Sequence, residues 1–224
     1  MREFIELEVA AAKVMLLAEK AMYWPERKLL FIADIHFGKA AAYRALGQPV
    51  PSGTTLKNLQ RLDALLNKYP TTTIIFLGDF LHAPESHAPT TIDVIHEWRK
   101  AHLQTACLLI RGNHDRRAGD PPKKLQIEVV NEPFILGPFA FQHSPLKLDN
   151  YHVVAGHSHP SFRLQGKGRQ KINMACFHST AGLTVLPSFG EFTGGHPVEV
   201  LSDSRVFITD GTGIWEPKIN QVCK

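Results

Sequence analysis

The first half of the chain alternates short apolar runs with segments of helical periodicity. The apolar runs predict strands over residues 14–17, 22–24, 28–33, 72–77 and 106–110. Leucines spaced at helical intervals predict a helix that starts near Thr54 and ends before Pro70. A second helix is predicted over residues 90–102, with Ile92, Ile95 and Trp98 on its buried face.

The second half of the chain has weak helical periodicity and several short apolar runs. These predict strands over residues 127–130, 139–141, 151–155, 171–174, 184–186, 198–201 and 205–209. A βαβαβ half followed by a strand-rich half predicts an α/β protein with two packed sheets. The 224 residues suit one medium domain, so we expect a single domain over residues 1–224.

The composition is that of a globular protein, with 44% hydrophobic and 21% charged residues, which argues against disorder. The net charge of +4 permits a polyanionic partner without requiring one. Cys107, Cys176 and Cys223 form no CxxC pair, which argues against a disulfide framework and a thiolate metal site.

No segment has the pattern of an export signal or a membrane span. The most apolar early stretch, residues 9–22, is interrupted by Lys13, Glu19 and Lys20. The sequence therefore predicts a cytoplasmic protein with no membrane partner.

Five polar clusters recur along the chain, and at least four of them directly follow a predicted strand. They are Asp34-x-His36, Gly78-Asp79, Gly112-Asn113-His114-Asp115, His143 and Gly156-His157-Ser158-His159. Ligand sites collect at the carboxyl ends of strands in α/β sheets, so these side chains are expected to converge. The glycines before Asp79, Asn113 and His157 indicate tight turns where bulk is unwelcome.

The clusters offer carboxylate, amide and imidazole ligands but no thiolate. Such a mixed nitrogen and oxygen set suits Mn²⁺, Fe or Zn²⁺ better than Ca²⁺ or Cu(I). Seven ligands hold two ions if one carboxylate bridges them, and Asp79 is the natural bridge. Each cluster alone is commonly structural, whereas the complete ordered set favours a two-metal site. His143 is preferred to its rival His152, because it directly follows the 139–141 strand.

The five clusters resemble the motifs of the calcineurin-like metallophosphoesterases. The resemblance implies a four-layer αββα sandwich with two mixed sheets. It implies that Asp34, His36, Asp79 and His159 bind one metal, and that Asp79, Asn113, His143 and His157 bind the other. It also makes His114 the residue that contacts the scissile phosphate and protonates the leaving oxygen. Asp115 either orients His114 from outside the metal shell or caps a helix.

Five longer stretches are similar to a narrower family, the bacterial ligase-associated metallophosphoesterases known as PdeM. They cover residues 33–40, 49–55, 78–82, 111–116 and 186–195. This resemblance implies a manganese-dependent DNA phosphodiesterase and endonuclease in DNA repair, acting on single-stranded or flapped DNA and associated with a DNA ligase, a helicase and an exonuclease. A small-molecule phosphodiesterase or phosphomonoesterase of the same superfamily is the alternative.

Several residues near the motifs are candidates for substrate binding. His82 is expected either to reach the substrate phosphate or to support Asp79. Arg116 and Arg117 are expected to contact the substrate. Both belong to a basic group around the Asn113-His114 motif: Arg111, Arg116, Arg117, Lys123 and Lys124. A second basic group follows the His157/His159 motif: Arg163, Lys167, Arg169 and Lys171. Each group either contacts nucleic acid or is a solvated loop.

Overall fold

The computed structural model describes residues 2–50, 53–166 and 170–217. Within these residues the first sheet has seven strands in sequence order: β1 (Phe4–Val9), β2 (Ala12–Leu17), β3 (Met22–Trp24), β4 (Leu29–Ile32), β5 (Thr73–Leu77), β6 (Ala106–Ile110) and β7 (Glu128–Val130). Strands β1 to β4 pair antiparallel, whereas β4 to β7 pair in parallel. The carboxyl ends of β4, β5 and β6 therefore lie at one edge.

The second sheet is built from the rest of the chain. Its nine strands in the described ranges are β8 (Phe134–Leu136), β9 (Phe139–Phe141), β10 (His152–Ala155), β11 (Pro160–Gln165), β12 (Lys171–Thr180), β13 (Leu183–Val185), β14 (His196–Pro197), β15 (Arg205–Thr209) and β16 (Ile214–Trp215). Strand β10 pairs in parallel with β9 and β13, whereas β12 pairs antiparallel with β11, β13 and β15. Both sheets are therefore mixed.

The two sheets pack face to face over a core that draws on residues from Leu7 to Ile214. Phe31 of the first sheet stacks on Phe141 of the second, with ring centroids 4.4 Å apart. Every residue of β4 is buried, because this strand is covered on both faces. That double burial explains why the central strands read as continuous apolar runs.

The helices are α1 (Lys39–Ala45), α2 (Thr54–Lys68), α3 (Pro89–Ala101) and α4 (Asn113–Ala118). Helices α2 and α3 cover the outer face of the first sheet, and Leu59, Leu62 and Leu65 form the buried stripe of α2. Helix α2 stops before Pro70, since a residue preceding proline disfavours the helical conformation. No helix in the described ranges is both long and apolar enough to cross a bilayer.

The predicted α/β class with two mixed sheets is confirmed, and its two outer faces are covered differently. The described residues contain no α-helix after Ala118. The outer face of the second sheet packs in part against Val198 and Val200. The strand predicted over residues 198–201 is wrong: Ser204 Oγ accepts the Leu201 N–H at 3.0 Å, so the segment turns back instead of extending.

Other predicted elements agree closely with the structure. The strands predicted over residues 22–24, 106–110, 139–141 and 205–209 match β3, β6, β9 and β15 residue for residue. The strand predicted over 171–174 continues to Thr180. Cys107 and Cys176 are buried free thiols, and Cys223 lies outside the described residues.

Candidate metal centre

The loops after β4, β5 and β6 meet at the shared edge of the first sheet and carry the first ligand motifs. The His36 amide donates to the Asp79 carbonyl at 2.9 Å, and the Phe37 amide donates to the Phe80 carbonyl at 2.8 Å. These backbone bonds continue the β4–β5 pairing beyond the strands. The Asp34-x-His36 and Gly78-Asp79 motifs therefore have fixed relative positions.

Five predicted ligands have the left-handed backbone conformation, which is uncommon for residues other than glycine. They are Asp34 (φ 52°), His36 (φ 47°), Asp79 (φ 52°), His157 (φ 71°) and His159 (φ 45°). Each such residue costs about 1–3 kcal/mol and persists only where the surrounding structure enforces it. Clustering of this strain at one edge is typical of a functional site.

The glycine that precedes each of three predicted ligands lies against a predicted ligand of another motif, so a side chain there would clash with it. A Cβ on Gly156 would lie 2.7 Å from Asp34 Oδ2, and a Cβ on Gly112 would lie 2.5 Å from the Asp79 amide nitrogen. A Cβ on Gly78 would lie 2.8 Å from His143 Cβ. The prediction that bulk is unwelcome at these three positions is therefore confirmed, and the reason is the close approach of a neighbouring ligand.

Asp34, His36 and His159 form the first group of candidate metal ligands. The Nε2 atoms of the two histidines lie 3.4 Å apart, and His159 Nε2 is 3.6 Å from Asp34 Oδ1. Both oxygens of Asp34 accept the His157 amide, at 2.9 and 3.1 Å. The first group is thereby joined to the second through the backbone of His157.

Asn113, His143 and His157 form the second group. His143 Nε2 lies 2.8 Å from Asn113 Oδ1 and 2.9 Å from His157 Nδ1. The other ring nitrogen of His143 is 3.0 Å from the Leu77 carbonyl, which only accepts, so Nδ1 carries a proton. In the neutral ring, the Nε2 lone pair therefore faces two further ligand atoms, an arrangement that a shared cation stabilises.

Asp79 lies between the two groups. Its Oδ1 is 3.5 Å from His143 Nε2, and its Oδ2 is 3.6 Å from His36 Nε2. Burial, and to a smaller extent the Asp34 carboxylate, raises the pKa of Asp79. The buried carboxylates of Asp34 and Asp79 have oxygens within 4.8 Å of each other, which favours bound positive charge. The donor set, made only of nitrogen and oxygen atoms, fits a pair of divalent ions bridged by Asp79.

His114 lies beside the two donor groups and forms, with His36 and His82, a further set of ring nitrogens within 4.8 Å of one another. Its amide donates to Asp79 Oδ1 at 2.9 Å, and its Nδ1 donates to the His82 carbonyl at 2.7 Å. Nε2 is 4.0 Å from Asp79 Oδ2. The hydrogen bond at Nδ1 fixes the tautomer and leaves Nε2 directed at the centre, where it can exchange a proton with a bound molecule.

His82 supports a histidine ligand. Its Nδ1 lies 3.2 Å from His36 Nδ1, so His36 can donate through Nδ1 while its Nε2 lone pair faces the first group. Burial, with smaller contributions from His114 and Lys39, lowers the pKa of His82 to about 4, so the ring is neutral and able to accept. The side chain of His82 therefore contacts the predicted ligand His36.

Asp115 binds backbone groups. Its Oδ1 accepts the amides of Phe80 and Leu81 at 2.9 and 3.1 Å, and its Oδ2 accepts the Gly112 amide at 2.9 Å. These contacts support the helix-capping alternative for Asp115. They also tie the loop after β5 to the start of α4, so Asp115 holds the Asp79 and Asn113 motifs together.

The predicted arginines extend from the surface beside the centre. Arg116 and Arg117 are exposed on α4, and Arg116 Nη2 lies 3.6 Å from Glu132 Oε1. Arg111 is paired with Asp120, and Lys124 with Asp93. Lys167 and Arg169 lie outside the described residues. Arg116 and Arg117 therefore remain predicted substrate contacts.

Two residues near the centre were missed by sequence reasoning. The Glu132 carboxylate accepts the amides of His143 and Ser144 at 2.8 and 2.9 Å, which positions the His143 ligand. Lys39 begins α1, and although burial lowers its pKa, Asp79 and Asp34 oppose that shift from close range. The position of Lys39 near the centre could have been predicted from the sequence, because it follows His36 by three residues. The position of Glu132 could not.

Comparison with known proteins agrees with this geometry. Residues 27–180, more than half of the chain, match the family described as calcineurin-like phosphoesterase. The crystal structure of the nuclease MPE of Pseudomonas putida is 43% identical, with a TM-score of 0.85, over 96% of this chain and 100% of that one. No curated protein shows significant sequence similarity to the chain.

Two further solved structures are more distant. A protein of unknown function from Aquifex aeolicus is 20% identical, with a TM-score of 0.41, over 63% of this chain and 82% of that one. The E. coli phosphoesterase Yfce is 18% identical, with a TM-score of 0.41, over 83% of this chain and 95% of that one. Both likenesses are too weak to support a functional inference.

Proposed function

The chain belongs to the calcineurin-like phosphoesterases, hydrolases that act on phosphoester bonds, and we propose that it is a binuclear, manganese-dependent DNA phosphodiesterase and endonuclease. The observation that carries the proposal is the position of Asp79 between two donor groups. The likeness to the nuclease of Pseudomonas putida supports a nucleic acid as substrate.

The seven predicted ligands divide between two sites in this proposal. Asp34, His36 and His159 would hold one ion, Asn113, His143 and His157 would hold the other, and Asp79 would contribute to both. When bound, two divalent ions make water a nucleophile at neutral pH and stabilise charge on the phosphate oxygens. Manganese is the proposed metal, and the ligand chemistry also accommodates Fe or Zn²⁺.

His114 is the proposed general acid. In the reaction, a water molecule loses a proton to the solvent and its oxygen bonds to phosphorus, while the bond from phosphorus to the leaving sugar oxygen breaks. His114 Nε2 gives its proton to that leaving oxygen, and the Nδ1 bond to the His82 carbonyl holds the ring in place. Lys39, Arg116 and Arg117 add positive charge on the substrate side.

We further propose that the substrate is single-stranded or flapped DNA and that the enzyme works in cytoplasmic DNA repair, as one catalytic domain over residues 1–224. A functional association with a DNA ligase, a helicase and an exonuclease belongs to the same proposal. The positive net charge of +4 is compatible with a polyanionic substrate.

Side-by-side turnover of four substrates in Mn²⁺ tests the proposal: single-stranded DNA, a cyclic nucleotide, an aryl phosphodiester and an aryl phosphomonoester. The nuclease proposal predicts cleavage of DNA and of the aryl diester. Turnover of the cyclic nucleotide or the monoester with no cleavage of DNA would replace it with a small-molecule phosphodiesterase or phosphomonoesterase.

A further inference from the structure

A polar cavity of about 250 Å³ adjoins the metal centre on the side of His159. Its walls come from distant parts of the chain, including Lys20, Ser161 and Gly195. Lys20 lies in the turn between β2 and β3, whereas Ser161 lies in β11. His159 lines the cavity and is also a predicted metal ligand, so a molecule in the cavity would be next to one bound at the centre.

Ser161 presents an unused hydroxyl to this cavity. The residue is only 2% exposed, and its Oγ has no hydrogen-bond partner among the described residues. Buried hydroxyls are nearly always hydrogen-bonded, so an unpaired one that lines a cavity marks a position for a ligand. The hydroxyl rotates freely and is able to donate to an anionic oxygen.

Lys20 supplies a positive charge at the same cavity. Its ammonium makes no ion pair or side-chain hydrogen bond in the part of the chain that the structure describes. Burial lowers the pKa of Lys20, Arg61 lowers it further, and Glu191 opposes the shift. Arg61 already pairs with Glu191 at 2.9 Å, so Lys20 is the cation left for a ligand.

One part of the cavity wall depends on Gly195. A Cβ at this position would lie 2.8 Å from Ser161 Cβ and 3.3 Å from the His159 carbonyl. The short strand β14 continues from this glycine and pairs with β11, and the His196 amide donates to the His159 carbonyl at 2.9 Å. The backbone of His159 and the wall of the cavity are thus held by the same contacts.

We propose that this cavity binds the phosphate of the nucleotide next to the scissile phosphodiester. The inference rests on the proposed nuclease function and adds a subsite to it. A free ammonium and an unpaired hydroxyl in a polar cavity suit a phosphate better than a base, which is bound by stacking on aromatic rings. The subsite gives the enzyme a preference for a polynucleotide over an isolated diester.

Trithymidylates test the subsite. One trimer has two phosphates, and each of two others has one linkage replaced by a neutral methylphosphonate. Lys20→Gln should lower kcat/KM on the all-phosphate trimer by about tenfold. With both methylphosphonate trimers that loss should disappear, because the single charged phosphate that remains is the scissile one and the Lys20 subsite receives no charged phosphate. Equal loss on all three trimers, or no loss on any, would overturn the subsite.

Lys28→Gln is the matched control. Lys28 also lies in a turn with a left-handed backbone (φ 54°, against 67° for Lys20), but it precedes β4 and is remote from the carboxyl edge. Its substitution should leave activity on every trimer unchanged. Failure of the wild-type chain to cleave any trimer, with turnover of an aryl diester intact, would instead refute the nuclease function itself and the subsite with it.

Ser161→Ala gives a second test that does not depend on Lys20. The variant removes a buried hydroxyl that has no hydrogen-bond partner among the described residues, so its melting temperature should not fall. Its kcat/KM on the all-phosphate trimer should fall several-fold, with a smaller effect on the two methylphosphonate trimers. Unchanged activity of Ser161→Ala on the all-phosphate trimer would contradict the assignment of this hydroxyl to the subsite.

Discussion

Gly112→Ala is predicted to disable the metal centre although alanine fits the φ and ψ angles of residue 112. Gly112 has φ −92° and ψ −178°, which alanine also adopts. The new Cβ would contact Asp79 Oδ1 and would lie 2.5 Å from the Asp79 amide nitrogen, against 3.4 Å for an ordinary contact, so Asp79 has to move by about 1 Å. A displacement of this size in a catalytic group costs about 10²-fold in rate.

The assay for Gly112→Ala measures Mn²⁺ binding and kcat/KM on an aryl phosphodiester. We expect weaker Mn²⁺ binding and a loss of about 10²-fold or more in kcat/KM. Gly182→Ala is the control, since Gly182 has φ +80° with nothing within 4 Å of its missing Cβ. It should lose about 1–2 kcal/mol of stability and keep its activity. Wild-type metal binding in Gly112→Ala would refute the close-packing explanation.

Three further substitutions test separate parts of the centre. Asp79→Ala should abolish turnover of every substrate, because in the proposed centre both ions would lose a ligand; two tightly bound metals in this variant would contradict the proposed bridge. His114→Ala should keep both metals but lose about 10²–10⁴-fold on DNA and less on an aryl diester, whose leaving group needs no proton. Equal losses on the two substrates would exclude the general-acid role. Glu132→Gln should weaken metal binding about 10–100-fold, since its hydrogen bonds position His143, and calorimetric titration with Mn²⁺ that matches wild type would argue against this.

The ligand motifs were accessible from sequence because the strands before them are buried on both faces. Continuous apolar runs identify β4, β5 and β6, and Asp34, Asp79 and Asn113 follow at their ends. Side chains at the carboxyl ends of neighbouring parallel strands converge for topological reasons. The structure places His143 beside Asn113 and leaves His152 at the opposite end of β10, bonded to Thr184.

Elements without apolar periodicity could not be predicted from the sequence. Helix α1 (KAAAYRA) buries only Ala40 and Ala42, and α4 (NHDRRA) is short, charged and held by the Asp115 contacts. The cavity walls were equally hidden, since Lys20 and Ser161 belong to no motif and meet only in the folded chain. Sequence patterns indicate which faces of strands and helices are buried, whereas contacts between residues distant in the sequence depend on how the two sheets pack.

Titration of the metal-free protein with Mn²⁺, followed by the initial rate of single-stranded DNA cleavage, tests the central claim most directly. The account predicts no cleavage in chelator and a rate that rises until two Mn²⁺ are bound per chain. Undiminished cleavage in chelator, a rate that saturates at one Mn²⁺, or no cleavage at any Mn²⁺ concentration would contradict it.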